Sequence, residues 1–366
     1  MKRSVLVAIS FLISIPIAFS TTINVPVDQP TIQVGLNSAV EGDTVLVASG
    51  TYFENISWPA VNGIKLIGSG AINCVIDGSD VASVIRFEED LGGIIDTTTL
   101  IRGLTIRDGN AGGNYPYQYG GGIYCYEASP SLESLTLTGN TAANSGGALY
   151  CDLSNPSLTD VTITDNSAIL YGGGVYCLFS NAVFDSVTVS INVVGSGGAG
   201  MYFADSNPIV TNSMILGNNT ISHGGGIYCD TSSPTLSYLT ISSNEAEDGA
   251  GIYLYGSSSP DITDVLISNN TANDDGGGIC CKTHSSPTLT NVQIMANSAG
   301  HGGGMSCHDN SHPFLSDVTI DGNTASVMGG GLYSDSYSNP SLVIVTVVCL
   351  QNLSHHSLCV IQLFAT

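Results

Sequence analysis

The sequence predicts an all-β protein, a right-handed single-stranded parallel β-helix in which the chain winds as a solenoid. Three observations lead there. A six-residue phrase, Gly120-Gly-Gly-Ile-Tyr-Cys125, returns at Gly146–Cys151, Gly172–Cys177, Gly224–Cys229 and Gly276–Cys281, with looser copies at Gly198–Phe203, Gly249–Leu254, Gly302–Cys307 and Gly329–Ser334. Its spacing is 26 residues, with single-residue slips, and a period of that length marks a stacked repeat. Between copies the chain alternates apolar and polar residues in short runs punctuated by Gly, Pro, Asn and Asp, which leaves no room for a helix in the repeat. About nine regular coils are expected, preceded by irregular N-terminal coils and an N-terminal helical cap; at the ordinary strand spacing nine coils make a rod of roughly 43 Å. A right-handed winding follows from the handedness of parallel crossovers.

Each unit holds the glycine phrase, a turn often carrying Pro, and two further apolar runs, so three strands and three turns are expected per coil. One column is Leu132, Leu158, Phe184, Val210, Leu236, Ile262, Leu289, Leu315 and Leu342; a second is Leu137, Ile163, Val189, Ile215, Ile241, Ile267, Ile294, Ile320 and Val347. A position kept apolar in every unit faces one continuous core, and its neighbours face out by strand alternation. Asn140, Asn166, Asn192, Asn218, Asn244, Asn270, Asn297 and Asn323 form a column expected to close a turn as an internal amide ladder, Asn being tolerant of left-handed backbone. Cys125, Cys151, Cys177, Cys229, Cys281 and Cys307 share an inward phase. Stacked at strand spacing, they favour a buried thiol column over axial disulfides.

Residues 1–20 combine a short basic start with an apolar stretch ending Ala18-Phe19-Ser20, the pattern of a secretory signal peptide. Residues 21–110 are expected to hold the cap, a helix over Pro30–Val40, and irregular coils with strands near Thr44–Val47, Ile64–Ile67, Val75–Ile76, Val84–Phe87 and Leu100–Ile106. Regular repeats occupy 111–342. The tail, 343–366, loses the pattern and reads either as a divergent cap or as a chain cut part-way through a longer solenoid. Formal net charge is −23, yet only 10% of residues are charged, and Lys282 is the one basic residue after Arg107. Nucleic acid, anionic lipid and acidic polysaccharide are therefore excluded as partners, since each needs basic contacts. No transmembrane helix, no cofactor and a monomer are expected; Ca2+ is compatible with the acidity but not implied by it. The protein is expected to be secreted, at the cell surface, outer membrane or outside the cell.

The pairing of Gly-Gly-Gly/Ala-Ile/Leu-Tyr with Ile163-Thr-Asp-Asn166, Ile267-Ser-Asn-Asn270 and Ile320-Asp-Gly-Asn323 resembles the repeats of polymorphic outer membrane proteins over residues 120–340. The opening stretch, Ile23-Asn-Val-Pro through Gly42-Asp-Thr-Val-Leu-Val to Gly50-Thr-Tyr, is similar to the start of exported β-helix proteins of the pectin-lyase-like superfamily. The resemblance implies fold; that superfamily holds lyases, hydrolases, epimerases and adhesins alike. The polymorphic proteins carry a C-terminal membrane barrel; none is expected within these 366 residues.

Two sets of residues are candidates for function. The position before the glycine phrase is His223, Asp248, Asp275 and His301 in four successive coils, with Asp274 adjoining. Equal phase stacks them roughly 5 Å apart, where carboxylates can share a proton or flank a glycosidic bond. Asp274-Asp275 and Gly300-His301-Gly302 also look like two motifs of polygalacturonase-type glycoside hydrolases, while the basic third motif is missing. The scarcity of Arg and Lys argues against a lyase. The second set is Tyr124, Tyr150, Tyr176, Tyr202, Tyr228 and Tyr253, which strand alternation points outward as an exposed row able to bind neutral glycan. On balance the sequence points to a non-enzymatic rod that adheres, binds glycan or a neighbouring cell surface, or serves as structure. The alternative is a glycoside hydrolase acting on neutral polysaccharide through the Asp/His cluster.

Overall fold

The computed structural model describes residues 20–88, 92–335 and 337–348. The expected signal peptide, apart from Ser20, and residues 349–366 of the tail lie outside them. The chain forms a right-handed parallel β-solenoid of about twelve turns, longer than the nine regular coils because the N-terminal irregular region already winds in register. Thr22–Val25 pairs with Thr44–Val47, which pairs with Lys65–Gly68, which pairs with Leu100–Arg102.

A regular coil carries four short strands rather than three. In one coil they are Ile123–Tyr126, Ser131–Glu133, Thr136–Thr138 and Thr141–Ala142. The first stacks in an 11-stranded sheet, the next two in a 23-stranded sheet and the last in a 9-stranded sheet. The strand not expected is the last, a two-residue one directly after the ladder Asn, repeated as Ser167–Ala168 and Val193–Val194; a left-handed residue bends the chain between the second and third strands, at Ser134 here and at Asp160, Ser186 and Asn212 in the coils that follow. Stacking is in register, Ile123 opposite Leu149, Tyr124 opposite Tyr150 and Cys125 opposite Cys151. Both aliphatic columns are buried in one core that runs from Val25 to Ile320, with their last members, Leu342 and Val347, partly buried against its end. All eight described cysteines are free and buried, seven of them in this core; burial pushes the Cys151 and Cys229 thiols well up.

The helix spans Ile32–Ser38, shorter than expected, between the first two strands. Thr31 Oγ1 accepts from Val34 N–H, and the Glu54 carboxylate accepts from Ile32 and Gln33 N–H at 2.9 Å, which satisfies donors at the helix start. Ile32 and Leu36 are fully buried, so the helix seals apolar surface of the first coils. No helix among the described residues is long and apolar enough to cross a membrane.

The asparagine column is an internal ladder. Each Nδ2 donates to Oδ1 of the next Asn at 2.9–3.0 Å from Asn140 to Asn323. Each Oδ1 also accepts the backbone N–H of the preceding Asn, and Nδ2 reaches back to a carbonyl such as Val189 O. The left-handed residue is the one before each Asn (Gly139, Asp165, Ile191, Gly217), not the Asn itself. A second ladder runs through Ser154, Ser180, Ser206, Ser232 and Ser258, each backbone N–H donating to the next Oγ at 2.9–3.0 Å.

Asn218→Leu tests the ladder. It strips acceptors from Asn192 N–H and Nδ2 and a donor from Val189 O, all buried, so unfolding free energy is expected to fall by about 3 kcal/mol or more in urea titration. A loss under about 1 kcal/mol would show that water or relaxation replaces the amide.

Candidate functional site

Three columns lie side by side on the outer face of the 11-stranded sheet. The middle one is the tyrosine row. From Tyr124 to Tyr228 the rings stack nearly parallel at 4.5–5.5 Å, and Tyr253 follows at 4.8 Å. Arg86 closes one end, its guanidinium 3.9 Å from the Tyr124 ring and paired with Glu88. The rings do point away from the core, but the expectation of an exposed glycan platform is corrected. Tyr124, Tyr150, Tyr202 and Tyr253 are only 2–5% exposed, and Tyr176 and Tyr228 are half-buried.

The cover comes from the column before the glycine phrase, where large and small residues alternate as Tyr119, Ser145, Tyr171, Gly197 and His223. Tyr119 lies on Tyr150 at 4.6 Å, Tyr171 on Tyr202 at 4.8 Å and His223 on Tyr253 at 4.7 Å. The small residues leave the space; a Cβ at Gly197 would stand 3.1 Å from the Tyr228 ring. That alternation was visible in the sequence and is the signal that the row is roofed.

The row breaks where Cys280 and Ser306 replace tyrosine. Both are buried and lack a phenol ring, so side chains from the flanking columns turn inward over them. All five expected acid/base residues meet there. Asp248 Oδ1 accepts Asp275 N–H at 3.0 Å, and its Oδ2 lies 2.9 Å from Lys282 Nζ and 3.3 Å from His223 Nδ1. Asp275 Oδ2 lies 3.2 Å from Lys282 Nζ and 3.4 Å from His308 Nε2, and its Oδ1 lies 3.4 Å from His301 Nδ1. His301 Nδ1 is also 3.5 Å from Asp274 Oδ1. Asp275 is 9% exposed, whereas the Asp274 side chain is 59% exposed.

Lys282, His308 and Asp335 were missed as site residues. They occupy the third column, two residues past the tyrosine position, and His308 Nδ1 contacts Asp335 Oδ1 at 2.9 Å. The signal was available: Lys282 is the lone basic residue of the repeat region and sits seven residues after Asp275 in the same coil, one coil from Asp248. Burial alone would depress the Lys282 pKa, but the thiol of Cys280 and the carboxylates of Asp248 and Asp275 outweigh it, and the ammonium is held above the ordinary lysine value. Burial depresses the His223 pKa despite Asp248 beside it. Asp274, Asp275 and His301 also offer three donor atoms within 4.8 Å of one another, a set able to hold a divalent cation.

A model described as right handed beta helix region matches residues 99–265, 154–325 and 225–360, three overlapping registrations of one repeat. The chain belongs to the right-handed β-helix family. No curated protein matches its sequence. Among solved structures it is similar to the Azotobacter vinelandii mannuronan C-5 epimerase AlgE4 A-module, at 14% identity and TM-score 0.50, covering 84% of this chain and 89% of that one. The AlgE6 A-module from the same organism gives 13% identity and TM-score 0.49, covering 87% and 96%. A catalytic unit of GH87 alpha-1,3-glucanase from Streptomyces thermodiastaticus gives 13% identity and TM-score 0.40, covering 90% and 70%.

These likenesses show a shared fold. The expectation of a non-enzymatic adhesive or structural rod is corrected in this respect: the AlgE4 A-module, which shares the fold at TM-score 0.50, is a module of a mannuronan C-5 epimerase. The polar residues before the glycine phrase, which drift in the turns would scatter, instead converge on one acid/base cluster.

The roofed tyrosines give an alkaline signature. Burial, then nearby acids and phenols, raises the pKa of Tyr150, Tyr202 and Tyr253 far above the usual phenol value, and that of Tyr176 and Tyr228 less far. A folded-state pKa raised above the unfolded value of about 10 contributes stability that is complete below pH 10 and is lost as pH climbs above it. Tyrosinate absorbance from these rings is expected to appear only together with loss of β-sheet circular dichroism; ionisation with the sheet signal intact would contradict the roof.

Proposed function

We propose that the protein is an exported carbohydrate-active enzyme, a glycoside hydrolase acting on neutral polysaccharide at the break in the tyrosine row. The observation that carries this reading is Asp275, a nearly buried carboxylate flanked by Lys282, His301 and His308 and by a second, exposed carboxylate at Asp274. The basic, apolar start of the sequence supports export. The preference for a neutral substrate rests on charge. Lys282, the one basic residue of the repeat region, is engaged by Asp248 and Asp275 and is not available to clamp a uronate.

The arrangement divides the work of hydrolysis. The two carboxylates offer oxygens within 4.8 Å of each other, a spacing that suits a two-step route. Asp275 attacks the anomeric carbon as the glycosidic carbon–oxygen bond breaks, and the leaving oxygen takes a proton from Asp274, which reaches the open side of the site. Water then displaces Asp275 from that carbon and gives its proton to Asp274, which restores both groups. His301 Nδ1, within 3.5 Å of both carboxylates, orients the pair. Asp248 holds Asp275 by accepting its backbone N–H, and Lys282 balances the charge of the pair.

Incubating the full chain with glucans, mannan, xylan and galactan, and following new reducing ends, tests the reading. At least one polymer is expected to be cut, and Asp275→Asn is expected to slow that cleavage about a thousandfold with the fold intact. Absence of cleavage on every polymer, or full activity in Asp275→Asn, would overturn it.

A further inference from the structure

A second feature lies on the opposite side of the coil path from the acid/base cluster, at the bend between the two strands that each coil gives to the 23-stranded sheet. The bend residue is left-handed in every described regular coil: Ser134, Asp160, Ser186, Asn212, Tyr238, Asp264, Asn291, Asp317 and Ile344. Seven of the nine are Ser, Asp or Asn, short residues that suit a tight bend, Asn and Asp tolerating this backbone best. Ile344 lies in the last described coil, and the exception within the stack is Tyr238. Its φ is +55°, its side chain packs into no core, and it is 63% exposed. A bulky ring held in a costly backbone conformation and presented to water is the kind of local departure that function maintains.

The ring borders a groove of about 340 Å³, of a size with small-ligand sites. Leu239 and Val265, both buried in the core, lie beneath it. Thr240, Asp264, Asn291 and Gln293 supply polar groups along the wall. Asn291 Nδ2 donates to Asp264 Oδ1, which fixes both side chains and leaves the other carboxylate oxygen and the Asn291 amide oxygen as acceptors. From Tyr238 to Asn291 is two coil steps, about 10 Å along the axis.

We infer that this groove is an accessory binding site for a neutral oligosaccharide, separate from the acid/base cluster. An exposed ring offers its face to the C–H side of a sugar, while carboxylate, amide and hydroxyl groups of mixed donor and acceptor character take the sugar hydroxyls. The carboxylate of Asp264 and the lack of any cation in the wall disfavour an acidic sugar. A peptide strand is disfavoured too, because the site lies at a bend within the sheet rather than along a free strand edge.

The test is calorimetric titration of the full chain with neutral hexasaccharides of glucose, mannose, xylose and galactose, with hexagalacturonate as the acidic control. It is done in an Asp275→Asn background so that hydrolysis does not consume the probe. Tyr238→Asn places there the residue found at Asn212 and Asn291, so its melting temperature is expected to equal or exceed that of the parent. It is expected to lose a binding event, or to weaken it at least tenfold, for a neutral hexasaccharide that the parent binds. Gln293→Ala is expected to weaken the same event severalfold. If no neutral hexasaccharide binds the parent, or if Tyr238→Asn binds as the parent does, the site is refuted. Either outcome is independent of whether Asp275 is catalytic.

Discussion

The whole molecule depends on parallel, in-register hydrogen bonding between successive coils. Each residue meets its own counterpart one strand spacing away, above and below. Any column must therefore be a side chain that tolerates its own kind at that distance. Amides and hydroxyls satisfy this because they donate and accept at once, as the Asn140–Asn323 and Ser154–Ser258 ladders do. Aliphatic side chains, thiols and phenol rings satisfy it by packing. Charges do not, since like charges directly opposite on neighbouring strands repel. This accounts for a chain with so few charged residues, most of them scattered on the outer faces.

The acid/base cluster is the place where the protein departs from that economy. Asp248 and Asp275 sit in one column, and their repulsion is relieved by Lys282 from the third column, inserted between their Oδ2 atoms. His301 and His308 flank Asp275 on its two oxygens. None of this fits unless the tyrosine row stops, because rings at positions 280 and 306 would fill the space. The substitution of Cys280 and Ser306 and the arrival of Lys282 and His308 are thus one structural event. A gap in a structural ladder, filled by mutually balanced ionisable groups, is how a solenoid makes a site without a separate domain.

The fold was legible because the period repeats and each column reports one environment; the two aliphatic columns and the Asn ladder fall where the phase puts them. The strand count per coil was not legible, since the fourth strand is only two residues long, as at Thr141–Ala142 or Ser167–Ala168, too short for alternation to register. His223, Asp248, Asp275 and His301 were grouped from one column, with Asp274 adjoining it. Lys282, His308 and Asp335 were missed because they lie in another column, and only the lateral packing of columns joins the two. The tyrosines were misjudged for the same reason. Strand alternation gives the direction of a side chain but not what folds over it, and the roof of Tyr119, Tyr171 and His223 comes from residues five positions earlier in the chain, on the coil next to the rings they cover.

The central claim is that the ionisable cluster serves chemistry and not the stability of the rod. Equilibrium unfolding in urea of a variant carrying Asp248→Asn, Asp275→Asn and Lys282→Met tests it most directly. Replacing a desolvated charge network with neutral groups of similar size is expected to leave unfolding free energy within about 1 kcal/mol of the parent or above it. A loss of about 3 kcal/mol or more would mean that the network is structural, and would contradict the account.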